Sequence, residues 1–306
     1  YCYVGQNLTI FNSINLAISK IHIRDSNVYS GIIDKAKTKI VFRSKSSKLT
    51  FMIQLSSDMF HFDVNGDILY NKIINSLFPS IFQSWLDMGT NHLITVILFT
   101  SIVDDDDDQL LSCKLGETFN NSKDYYRIVV DQININHWSK IMINLRYEIL
   151  KFREDIQLVR KQLLPSVKGN IVQALNLSTI LMLNNVNNLT SLRHTQNHFI
   201  LVTSGSGLFD IDISMFEKTV KKILKLDISI DLICLGARPI HYTPMFRYRN
   251  LNNKLIYRFP VWFNCFFWIH NSFVNSFNLM DNSDNSQKNI IKMMKNKSNK
   301  LSIDDE

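Results

Sequence analysis

Paired cysteines are missing from this chain of 306 residues. Its four cysteines, Cys2, Cys113, Cys234 and Cys265, stand far apart, and none belongs to a CxxC pair. That excludes a disulfide framework and a zinc-ribbon motif, and fits reduced thiols in a cytosolic protein. Long apolar runs are missing too. The richest stretch, VWFNCFFWIHNSF at 261–273, is interrupted by Asn264, His270 and Asn271. A membrane-crossing helix needs about 20 apolar residues, so this stretch is expected in a core or a buried interface. No secretory leader is read at the start. Triplets such as Asn7-Leu8-Thr9 and Asn188-Leu189-Thr190 arise by chance in a chain this rich in Asn, and glycosylation also needs a secretory route. The first residue is Tyr1 rather than Met, which reads as a fragment of a longer protein.

The usual catalytic patterns are also missing. The SGSG stretch with Gly205, Ser206 and Gly207 lacks the trailing Lys and Ser/Thr of a phosphate-binding loop. His194 and His198 have zinc spacing, but no Glu follows the first His. The aspartate run 104–108 is expected to be a solvated loop. No Ser/His/Asp or Cys/His pairing can be assembled at identifiable turns. Nothing in the chain asks for a cofactor.

What is present is a core. Apolar residues make up 45% of the chain, with 20 Phe. The net charge is +7 and the pI about 9.1. Much of the positive charge sits in KNIIKMMKNKSNK near the end, so nucleic acid is not expected as a partner. Residues 281–306 are polar and low in complexity, and read as a disordered tail.

Residues 1–48 read as a small β-rich segment, with strands expected in 8–12, 14–23 and 38–44. Residues 49–280 alternate strands and helices. Strands are expected at 49–55, 92–101, 125–133, 198–207 and 229–236. Helices are expected at 66–88, with Pro79 kinking or dividing the stretch, and at 138–150, 169–184 and 215–226. Continuous apolar strands such as ILVT and DLICLG fit a sheet covered on both faces. The pattern predicts a doubly wound, mostly parallel α/β sheet. The strand at 125–133 follows its predecessor without a helix and is expected as an antiparallel edge.

This order resembles the von Willebrand factor A-type domain. In that family three loops meet at the carboxyl edge of the sheet and hold Mg²⁺ through hard oxygen ligands. The first loop reads Asp-x-Ser-x-Ser, the second supplies Thr before a helix, and the third supplies Asp. Here the loops are present but the ligands are not. The first is Gln54-Leu55-Ser56-Ser57-Asp58, the second Lys168-Gly169-Asn170, the third Thr203-Ser204-Gly205. Gln54, Ser56, Asp58, Gly169 and Ser204 therefore mark a degenerate metal site. Ser56, Asp58 and Ser204 are expected to cap helices and satisfy turn backbone instead.

Longer motifs carry a second resemblance. The stretch from Thr38 to Trp85 is similar to the amino-terminal region of the vacuolar-membrane-associated Iml family. The animal members are the DEP-domain-containing large subunit of the GATOR-one complex. The likeness continues through HLITVILF, DYYRIVVD, GNIVQALNLS and GLFDIDISMF to LGARPIHYTPMFR and FPVWFNCFFW. In the last two, Gly236, Pro239, His241, Pro244, Phe246, Pro260 and Trp262 match the family pattern.

The resemblance implies a non-catalytic scaffold, the structural-axis region of a complex that accelerates GTP hydrolysis on Rag GTPases. Such a complex restrains TOR complex one when amino acids are scarce. The catalytic arginine is expected on another, longin-domain subunit. Longin-domain subunits are expected as partners, and Rag GTPases indirectly or through family segments that this chain lacks. The expected location is cytoplasmic, peripheral at the vacuolar or lysosomal membrane. The alternative from the fold alone is a cation-dependent ligand-binding module.

Overall fold

The structure is a computed structural model. It describes residues 1–10, 14–23, 26–34, 36–38, 40, 47–63, 66–104, 114–118, 122–134, 137–158, 161–186, 197–226, 228–250, 252–260, 263–269 and 272–275. The chain divides into two compact units, Tyr1–Arg43 and Ser44–Glu306.

The first unit is built from short antiparallel pairs. Strand β1 (Cys2–Tyr3) pairs with β6 (Ser30–Gly31). Strand β2 (Asn7–Ile10) pairs with β3 (Ile14–Ala17), and β4 (Ile21–Ile23) with β5 (Ser26–Val28). The third strand expected here does not form at Thr38 and Ile40, which are irregular. The rest of 38–44 lies outside the described residues.

The second unit is a doubly wound sheet. Its strands are β7 (Lys48–Gln54), β8 (Leu93–Asp104), β9 (Lys123–Asn134), β10 (Lys161–Leu163), β11 (Asn197–Thr203), β13 (Ser229–Cys234), β16 (Phe263–Ile269) and β17 (Ser272–Asn275). The order is β9-β8-β7-β11-β13-β16-β17. Strands β8, β7, β11, β13 and β16 run parallel. Strand β9 lies antiparallel at one edge, and β17 at the other. Beyond the end of β7, β10 pairs antiparallel with the last residues of β8.

Alternation along β7 shows why helices cover both faces. Phe51 and Ile53 point into one apolar cluster and Met52 into the other. The first cluster is closed by α1 (Leu69–Lys72), α2 (Phe78–Asp87) and α3 (Trp138–Leu158). Phe51 meets the Phe78 ring edge-on at 4.8 Å. The second cluster is closed by α4 (Ile171–Val186) and α5 (Ile213–Lys225). A separate three-stranded sheet adds Phe209 and Phe246 to it. Its strands are β12 (Leu208–Asp210), β14 (Met245–Arg249) and β15 (Leu255–Arg258).

Three local features differ from the sequence expectation. Pro79 does not divide the first helical stretch. A π turn at Ile73–Leu77 joins α1 to α2, and the Phe78 N–H donates to the Ile73 carbonyl. Pro79 has no N–H to give, and the wider turn before it takes up the mismatch. Helix α3 runs eight residues past the expected end at Leu150, because Phe152 and Ile156 continue its buried face. The aromatic stretch after 260 is a full parallel strand, β16, and not only core filling. Trp268 Nε1 on β16 donates to Ser76 Oγ in the π turn at 3.0 Å. The tail 281–306 lies outside the described residues.

Candidate functional site

The carboxyl ends of β7 and β11 bring Gln54, Ser56, Asp58 and Ser204 to one edge of the sheet. The short 3₁₀ turn Ser166–Lys168, just before α4, brings Gly169 there too. The three loops picked out in the sequence therefore meet. All but Asp58 and Gly169 are buried.

Gln54 joins the loops. Its Nε2 donates to the Ser166 carbonyl at 3.0 Å, and its Oε1 accepts from Thr203 Oγ1 at 2.6 Å. Thr203 Oγ1 in turn accepts from the Gly205 N–H at 3.1 Å. One neutral amide thus satisfies a carbonyl and a hydroxyl that burial would otherwise leave costly. Both glycines are forced by this packing. A β-carbon on Gly169 would stand 1.9 Å from Gln54 Nε2, and one on Gly205 would stand 2.5 Å from Ser166 Oγ.

Ser56 and Ser204 do not cap helices as expected. Ser56 stands at the start of the turn Ser57–Phe60 without a side-chain capping bond. Its Oγ instead lies 2.8 Å from Ser204 Oγ, across the loops. Asp58 does satisfy turn backbone, though in the neighbouring loop. Its Oδ2 accepts from the Ser166 N–H at 2.8 Å and from Ser166 Oγ at 2.7 Å. Each group is paired with another loop, as buried polar groups generally are.

This donor set does not fit Mg²⁺. The ion needs octahedral oxygen coordination, commonly with carboxylates. Position 54 presents an amide already used twice, position 169 has no side chain, and Ser56 and Ser204 are spent on each other. Among the described residues no group of three His, Cys, Asp or Glu side chains could hold a metal ion.

A second buried network lies beside the first and was not foreseen in the sequence. Asp210 at the end of β12 is fully buried. Its carboxylate meets Lys168 Nζ at 2.7 Å and accepts from Arg247 Nε at 2.6 Å and Arg247 Nη2 at 3.1 Å. The Gly116 N–H adds a bond at 3.1 Å. Lys168 also donates to the carbonyls of Lys114 and Glu117. The lysine of the second loop therefore ties that loop to the three-stranded sheet and to segment 114–118. The Asp210 hydrogen bond pushes the Arg247 guanidinium up, against the opposing effect of burial. The signal that could have found this pair is a charge inside apolar runs, in LFDID and MFRYR.

A third chain of polar groups runs from Asn170 to Ser101. Asn170 Nδ2 donates to Tyr126 Oη at 2.9 Å, and Tyr126 Oη donates to Asp124 at 3.2 Å. Ser101 Oγ donates to the same carboxylate at 3.0 Å. Burial pushes the Asp124 carboxyl up, and these hydrogen bonds hold it back in part. Burial and the Asp124 charge push the Tyr126 phenol well up.

The remaining sequence candidates are not brought together. His198 is the second residue of β11, with Nε2 2.9 Å from Asp231 Oδ2, and His194 lies outside the described residues. Aspartates 105–108 and Cys113 also lie outside them. Cys234 and Cys265 are buried free thiols on neighbouring strands, 3.9 Å apart, and burial pushes the Cys234 thiol well up. No described helix is long and apolar enough to cross a membrane.

Two family descriptions match this chain. Residues 46–248 match "Vacuolar membrane-associated protein Iml1, vWA-like domain", and residues 1–44 match "IML1 small domain". Among curated relatives, the vacuolar membrane-associated protein IML1 of Debaryomyces hansenii is 42% identical over 279 residues, covering 87% of this chain and 18% of that protein. The protein of the same name from Scheffersomyces stipitis is 42% identical over 269 residues, covering 85% and 18%. That of Saccharomyces cerevisiae is 38% identical over 275 residues, covering 87% and 17%. The chain thus spans less than a fifth of the length of these relatives. With a matched small domain followed by a matched vWA-like domain, the chain belongs to the family of the vacuolar membrane-associated protein Iml1.

Proposed function

We propose that this chain is a non-catalytic scaffold module of a Rag GTPase-activating complex, one that restrains TOR complex one when amino acids are scarce. The observation that carries the proposal is the closed carboxyl edge. Where a cation-dependent vWA-like domain would present open oxygen ligands, Gln54, Thr203 and Ser166 bond one another. An edge closed in this way holds loops in fixed positions. Family membership, with the resemblance of stretches 38–85 and 235–247, supports this reading of the complex.

In such a complex an arginine placed against transition-state charge is worth about 10³–10⁵ in rate. Longin-domain subunits of the same complex supply it, and this chain contributes its placement. Contact with Rag GTPases is indirect, or runs through other parts of the longer protein. Residence at the vacuolar or lysosomal membrane is peripheral and comes through partners.

The test is affinity purification of the full-length protein from cells, with and without residues 46–248. The scaffold role predicts co-purification of longin-domain subunits and their loss on deletion. Purified alone, the chain leaves the GTP hydrolysis rate of Rag GTPases unchanged. Recovery of no longin-domain subunit with the intact protein, or hydrolysis stimulated by the isolated chain, would refute it.

A further inference from the structure

Helix α3 carries two faces, and only one is used by the fold. Ile141, Leu145, Ile149, Phe152 and Ile156 pack into the core. On the opposite side Ile143, Tyr147 and Leu150 are 72%, 60% and 40% exposed. Single exposed apolar residues need no explanation. These three follow one another at steps of four and three, the seam spacing of paired helices. With Ile143 and Leu150 at d and Tyr147 at a, the flanking g positions are Arg146 and Arg153, and a flanking e position is Lys151. All three cations are exposed, and the Arg153 guanidinium also stands over the Phe60 ring at 4.6 Å. Lys151 Nζ stands over the Tyr147 ring at 5.5 Å, so the positive charge borders the seam directly.

We infer that the outer face of α3 docks a helix from another polypeptide, one with apolar residues at a and d and Asp or Glu at the flanking e and g positions. The flanks decide the partner's charge, because complementary e and g pairs set which helices associate. The width of the stripe decides against a lipid surface. A helix lying in a bilayer interface needs a broad apolar face. The broad face of α3 is buried in its own core, and Glu154 and Gln157 continue the outer seam. The inference stands on α3 alone and is independent of the Rag GTPase reading.

The experiment places p-benzoylphenylalanine at Tyr147 of the full-length protein in cells, with mapping of the photo-crosslinked segment by mass spectrometry. The expected product joins position 147 to a helical segment with apolar heptad positions flanked by carboxylates. Arg146→Glu with Arg153→Glu should lower its yield at least about tenfold. Reversing the mapped carboxylates to Lys should restore it. Circular-dichroism melting shows that the reversed protein still folds. Adducts to lipid only, adducts to another segment of the same polypeptide, adducts to a segment without flanking carboxylates, absence of adducts, or yields indifferent to the charge reversal would each overturn the inference.

Discussion

Gln54 Nε2 occupies the space that a side chain at residue 169 would need, 1.9 Å from where its β-carbon would stand. Two departures from the metal-binding pattern are therefore one. The amide at 54 reaches the Ser166 carbonyl only because 169 is glycine. A threonine at 169 would collide with that amide. The amide at 54 and the glycine at 169 are a single packing solution.

That interlock predicts a measurable coupling. Gly169 has φ −73° and ψ 160°, a conformation open to any residue, so Gly169→Ala carries only the collision. It should destabilise by about 1–3 kcal/mol. Gln54→Ala should cost a similar amount, by leaving the buried Thr203 hydroxyl without its acceptor and taking one of two donors from the Ser166 carbonyl, which keeps the Gly169 N–H. The double variant should be more stable than the sum, by about 0.5–3 kcal/mol. Urea denaturation of the four proteins checks this, and strict additivity would show that the two positions do not touch.

Asp210 holds two cations at once. Removing it in Asp210→Ala leaves Lys168 and Arg247 without their buried counter-charge. The expected loss is about 3–5 kcal/mol, since an uncompensated buried charge costs more than the pair contributes. A calorimetric melt measures it. A change below about 1 kcal/mol would mean that the network is solvated and incidental.

Much of this arrangement could be read in the chain beforehand, and what could not has a physical cause. Parallel strands announce themselves by continuous apolar runs, as in Phe51–Met52–Ile53, because both faces are covered. Strand β16 hides because Asn264, an outward position, breaks the run; in the fold its side chain donates to Asp231 on the next strand at 2.8 Å. The three loops were visible as loops, and their meeting point followed from the fold family. Their bonds were not visible, because Ser56 could as well have capped its own turn. Asp210 and Arg247 lie 37 residues apart, and no local pattern pairs them.

Acid should weaken the fold through His92. Burial, then the neighbouring His198, holds the His92 pKa below its usual value of 6.5. The folded state thus binds its proton less readily than the unfolded chain. Stability from this group is full above about pH 6.5 and falls as pH drops below it. The His92 ring packs edge-on against Trp85 at 4.9 Å, so His92→Phe keeps the contact and removes the proton site. Melting temperatures at pH 7.5 and 5.5 should differ less in the variant than in the parent. An equal difference would locate the acid sensitivity elsewhere.

The central claim is that the carboxyl edge is a closed structural junction and not a metal site. Thermal melting in chelator and in millimolar Mg²⁺ tests it most directly, on the natural chain and on Gln54→Asp. An ion bound at 100 times its dissociation constant would add about 2.7 kcal/mol, or about 5–10 °C for a domain of this size. The closed junction predicts no shift for either protein, because position 169 and Ser204 still offer no free ligand after Gln54→Asp. A rise of several degrees with Mg²⁺, in either one, would contradict it.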